Sequence, residues 1–82
     1  MLSGYPYSVR IIESARRHEI ADEDIWHVIS NPKRYLDRGE LVMVLGPDRA
    51  GNLREVGVAD WATTDPVIVH ADVLRPSFYR YL

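Results

Sequence analysis

The spacing of apolar residues changes at Lys33 from a repeat of about 3.6 to one of about 2, and no other feature constrains the fold as much. Upstream of it, Ile11, Ala15 and His18 fall at i, i+4 and i+7 with Ile12 beside them, while Arg10, Glu13, Arg16 and Arg17 mostly face outward. That pattern predicts a first helix from about Ser8, its N-cap, to His18. Residues Ile20 to Pro32 read as a second helix. Asp22, Glu23 and Asp24 suit the positive end of its dipole, Ile25, Val28 and Ile29 form an apolar stripe, and Pro32 stops it. Either Ala21 is the N-cap, with Ile20 and Ile25 as a hydrophobic staple, or Asp22 caps the helix through its carboxylate.

Downstream of Lys33, β-branched residues and turn punctuation take over. Arg34–Leu36 and Glu40–Leu45 flank Asp37-Arg38-Gly39, a hairpin signal because Gly39 can take positive φ. Gly46 to Asn52 form a second turn into a strand over Leu53–Ala59, and Asp60–Pro66 form a loop into a last strand over Val67–Val73. Short connections between successive strands predict an antiparallel meander. The expected fold class is therefore α+β, with two N-terminal helices packed on a four-stranded antiparallel meander sheet in a single domain over residues 1–82. In the last strand Val67, Val69, Ala71 and Val73 alternate with Ile68, His70, Asp72 and Leu74. If the helices cover the all-apolar set, His70 and Asp72 are left on the more open face.

Composition narrows the function classes. With 82 residues there is room for one small core, and 46% hydrophobic with 27% charged residues is ordinary globular composition. The absence of cysteine removes disulfides, thiolate nucleophiles and Cys-ligated metal centres. Met1 to Tyr7 lack a basic segment followed by an apolar run, and no stretch approaches the roughly 20 apolar residues of a membrane span, so a soluble cytoplasmic protein is expected. A net charge of −2 argues against long-range attraction to nucleic acid and leaves only a local basic patch for that role. Nine of the ten cations are arginine, whose planar fork pairs bidentately with phosphate or carboxylate, although a GC-rich genome produces the same bias.

The order of these signals resembles the BrnT family of small toxins, which share the RelE-like ribonuclease fold. Arg17-His18 before a short loop, the acid-bearing helix beginning at Asp22-Glu23-Asp24 and its close at Asn31-Pro32 follow the family outline. The segments Leu41–Gly46, Gly51–Gly57 and Val67–Ala71 resemble its strands, and the ending with Tyr79 and Tyr81 resembles its tyrosine-bearing tail. The resemblance implies a type II toxin that cleaves messenger RNA, free or ribosome-associated, and is neutralised by a small cognate antitoxin bound across its sheet. The chain departs from the family in its last strand, where Val67, Val69, His70-Ala71 and Asp72 stand in place of arginines around a Ser-Ala step.

RNA cleavage without metal requires deprotonation of the 2′-hydroxyl, stabilisation of the extra phosphate charge and protonation of the leaving 5′-oxygen. Histidine can carry either proton and arginine can clamp phosphate. The candidate catalytic residues are His70, Arg75, Tyr79 and His18, with Arg54 and Arg17 as phosphate contacts. The structural alternatives are a surface His70 paired with Asp72 or Glu55, and a His18 that caps the first helix. His27 is read as solvated or packed at a helix edge. No residues have metal-ligand spacing and no cofactor is expected. Trp61, in a polar loop, is the candidate anchor for a partner protein. The competing function is a noncatalytic protein-binding or dimerisation module that uses the sheet and Trp61.

Overall fold

A computed structural model describes residues 9–82. It is an α+β fold built on a five-stranded mixed sheet of order β1-β5-β4-β3-β2. The elements are β1 (Arg10–Ile11), a 3-10 turn over Glu13–Arg16, α1 (Asp22–Ser30), β2 (Arg34–Asp37), β3 (Leu41–Pro47), β4 (Leu53–Ala59), β5 (Val67–Val73) and a C-terminal 3-10 segment over Pro76–Tyr81. The antiparallel run β2-β3-β4-β5 follows the expected meander.

Two expectations are corrected. The first helix does not form; its place is taken by β1, which pairs parallel with β5 through Arg10↔Val67 and Ile11↔Ile68, and by the 3-10 turn. The proposed cap at Ser8 lies outside the described residues. The physical reason is competition for the same backbone groups. A helix of this length is marginal by itself, whereas the β-branched run Val9 to Ile12 can satisfy the open edge of β5. The Ile12 amide donates to the Ile68 carbonyl at 3.1 Å, and Ser14 Oγ donates to the Val69 carbonyl at 2.7 Å. The sheet consequently has five strands and mixed direction, with α1 as its main helix, rather than four antiparallel strands under two helices.

Each sheet face has its own core. On one face α1 contributes Ile25 and Val28, which pack with Val44, Val56, Val58, Ile68, Ala71, Ala15 and Ile20. Ala21 is the N-cap of α1 in extended conformation, the first of the two expected arrangements, and Asn31 ends the helix with its side-chain amide donating to the His27 carbonyl at 2.9 Å. Opposite, Leu74, just past β5, and Phe78 of the C-terminal segment lie over Met43 and Leu45, with Leu36, Leu53 and Tyr81 at the margin. The simple alternation expected in β5 is interrupted. Gly57 pairs with His70 but Val58 pairs with Ile68, so Val69 is an extra residue and a β-bulge. Ile68 and Ala71 thereby share the helix-covered core. Below the bulge, His70 and Asp72 align with Gly57 and Glu55 on the face away from α1.

Candidate functional site

The site grows from Glu55, a charged residue at an inward position of β4. Its register partner across the sheet is Leu45 of the second core, and its side chain is 0% exposed. An isolated carboxylate there would be costly, and three groups meet it. His70 Nε2 lies 2.9 Å from Oε2, Arg75 Nη2 donates to Oε2 at 2.6 Å and Arg75 Nε to Oε1 at 3.1 Å, and the Arg75 backbone amide donates to Oε1 at 3.0 Å. Burial pushes this carboxyl up, but the Arg75 side chain, the Arg75 amide and His70 outweigh it and hold it below the usual glutamate range.

His18 completes the group. It leaves the 3-10 turn just before Glu19, whose φ of +60° turns the chain toward α1. His18 Nε2 sits 3.3 Å from Asp72 Oδ2, and its ring meets the His70 ring edge-on with centroids 6.1 Å apart at 81°. Asp72 Oδ1 also accepts the Val73 amide at 2.7 Å, which fixes the carboxylate. Two histidine–carboxylate pairs, His70–Glu55 and His18–Asp72, therefore stand side by side with Arg75 at their border. Gly57 makes room for them: a Cβ there would lie 3.1 Å from the His70 Cβ and 3.2 Å from Met43 Sδ.

The remaining candidates lie elsewhere. Arg54 is opposite Gly46, whose missing Cβ points at the α1 carbonyls, so Arg54 shares the helix face and is separated from His70 by the sheet. There its Nε donates to Asp48 Oδ2 at 2.9 Å, and Asp48 also accepts the amides of Ala50 and Asn52, closing the β3–β4 turn. Tyr79 is 55% exposed and lines a surface depression with Arg54, Leu53, Val73 and Leu74. Arg17 is exposed and lines a different depression with Glu13, Ser14 and Arg16. Trp61 is 41% exposed and meets Tyr35 of β2 at a tilt of 56°, with ring centroids 5.2 Å apart. His27 is structural, its Nδ1 donating to the Pro47 carbonyl at 2.8 Å to tie α1 to the end of β3. Among the described residues no group of three or more His, Cys, Asp or Glu is placed to hold a metal ion, and no helix is long and apolar enough to cross a membrane.

In the sequence Glu55 stands out only as an acid that could pair with His70, and nothing there singles out Arg38 or Arg80. The available signal for Glu55 was an acid two residues from Gly57 on a strand otherwise rich in valine. No family model matches the chain, and neither the curated proteins nor the solved structures contain a match.

Proposed function

We propose that this protein is a metal-independent endoribonuclease, the toxin-like component of a type II toxin–antitoxin pair. The observation that carries the reading is the adjacency of two carboxylate-paired histidines, His18 and His70, beside Arg75. Each carboxylate orients its ring, and an imidazole can either accept or deliver a proton, so the two rings can take opposite roles. The neutral ring removes the proton of a ribose 2′-hydroxyl as the 2′-oxygen attacks phosphorus. The protonated ring delivers its proton to the 5′-oxygen as the phosphorus–oxygen bond breaks, leaving a 2′,3′-cyclic phosphate and a free 5′-hydroxyl. Arg75 holds the nearby backbone and orients Glu55. The likeness of Arg17-His18 through Asn31-Pro32 to the BrnT toxins supports the same chemistry. Trp61 against Tyr35, on β2, an edge strand of the sheet among the described residues, offers a cognate antitoxin an aromatic foothold.

The test is cleavage of a uridine dinucleotide by purified protein in the presence of a chelator, followed across pH, with induction in a bacterial host as its cellular counterpart. Release of the cyclic phosphate on a bell-shaped pH profile is expected, with His18→Ala and His70→Ala each lowering kcat about 100-fold or more. Cleavage that survives in both variants, or that the chelator abolishes, rules this site out. Soluble expression without RNA cleavage or growth arrest favours the noncatalytic binding module, whose surface is the exposed Trp61–Tyr35 pair.

A further inference from the structure

Charge is nearly balanced inside the histidine site. Glu55 neutralises Arg75, and Asp72 stands against His18. An incoming phosphodiester therefore needs positive charge from beyond these pairs. It is available next door, where Arg38 and Arg75 both lie over the Phe78 ring, with Cζ 5.3 and 5.1 Å from its centroid. Arg38 is also 5.8 Å from the Tyr81 ring, and Arg80 is 5.1 Å from it, donating through Nη2 to the Tyr81 hydroxyl at 3.1 Å. The two rings stand 6.3 Å apart. Arg38 and Arg80 are exposed, and neither pairs with a carboxylate among the described residues.

The arrangement differs from that of the aspartate-paired arginines of the surface. Arg10, Arg16, Arg49 and Arg54 each face an aspartate, a short-range solution that leaves no net charge to offer. At the C-terminal segment three guanidiniums gather around two rings, and of the three only Arg75 pairs directly with a carboxylate, that of Glu55. Like charges gathered this way repel. Ring faces offset part of that cost by attracting the guanidinium planes, and the exposed side chains of Arg38 and Arg80 keep N–H groups accessible. Such groups match phosphate oxygens.

We propose that Arg38 and Arg80, held on Phe78 and Tyr81, form a backbone-binding subsite for single-stranded RNA that continues the histidine site through Arg75. The subsite deepens the ribonuclease reading and rests on it for the identity of the polyanion. It supplies the positive surface that a chain of net charge −2 lacks as a whole. Its contacts are to phosphate, so it carries strand affinity rather than sequence preference.

The experiment is fluorescence anisotropy with a 2′-O-methyl octauridine, which cannot be cleaved by 2′-hydroxyl attack, titrated with wild type, Arg38→Ala/Arg80→Ala and Arg38→Lys/Arg80→Lys over a series of salt concentrations. Loss of two phosphate contacts is expected to weaken binding about 10-fold or more near 0.1 M salt and to lower the slope of log K against log salt by about 1.4. The lysine pair keeps the charge and is expected to recover most of the slope, which separates charge from folding. Equal binding by wild type and the alanine pair overturns the subsite, as does no binding by wild type, or equal affinity for a glutamate peptide of the same charge. The ribonuclease reading fails separately, when wild type binds octauridine through these arginines and leaves a cleavable octauridine intact.

Discussion

At the scale of single residues, Glu55 decides both the stability of the site and its response to acid. Its carboxylate is fully enclosed and accepts from Arg75 and His70, so Glu55→Gln leaves the donors facing a neutral amide. Breaking a buried pair costs about 3–5 kcal/mol when the orphaned partner is also buried. Arg75 is 53% exposed and can turn to water, so the expected loss is nearer 2 kcal/mol at neutral pH. Glu55 and Asp48 both titrate below their ordinary values in the folded protein, because hydrogen-bond donors overcome burial. For groups lowered in this way the unfolded chain binds more protons. Their stabilisation is present above the ordinary carboxylate range near pH 4 to 4.5 and is lost as pH falls through the lower folded values. Urea denaturation of wild type and Glu55→Gln from pH 7 downward should show a gap that narrows below about pH 4. A gap that stays constant with pH would show that the Glu55 charge contributes no stability.

At the scale of elements, the packing of α1 on the sheet depends on one close approach. A Cβ at Gly46 would lie 2.9 Å from the Asn31 carbonyl oxygen and 3.3 Å from Pro32 Cα, both backbone atoms that cannot swing aside. Gly46→Ala must push the end of α1 off β3, at a cost of about 1–3 kcal/mol read as a lowered Tm; an unchanged Tm would show the helix end free to move. The same element contacts explain what could be read in advance. β3, β4 and β5 were legible because alternation and turn residues such as Gly39 and Gly51, at φ +82° and +90°, are local signals. β1 was not, because its partner is the β5 edge, and Ser14 reaches Val69 across 55 residues of chain. His70 and Arg75 stood out in the sequence as candidates by residue type alone. Their union at Glu55 required the register of β4 on β5 and the bulge at Val69, and parity of that register sent Arg54 to the other face. His18 arrives at His70 from the end of a 3-10 turn bound to a strand edge, whereas the helical repeat placed it at the end of a first helix.

At the scale of the whole molecule, one sheet separates two small cores, and the candidate site lies on the face of the second. A chain of 82 residues is expected to have a total stability of about 4–12 kcal/mol. Phe78, 8% exposed, is the largest side chain that the C-terminal segment buries on Met43, Leu45 and Leu74. Removing such a ring costs about 3–5 kcal/mol in a closed core, and the lower end applies here because the segment lies at the surface. Phe78→Ala should therefore cost about 3 kcal/mol, a large share of the total. Phe78 also supports Arg75, which ties Glu55 to the chain, and Arg38 from the β2–β3 turn. Stability and site are thus coupled through one ring. Phe78→Leu separates the two effects, since it keeps most of the apolar volume at a cost below about 1.5 kcal/mol but removes the face on which both guanidiniums lie. If the two faces fold as one cooperative unit, Phe78→Ala lowers the urea midpoint and leaves the denaturation slope unchanged, because the same surface is exposed in a single transition. A second transition, or a smaller slope with little loss of stability, would instead show the C-terminal segment detaching by itself, and the histidine site would then rest on the helix-covered core alone.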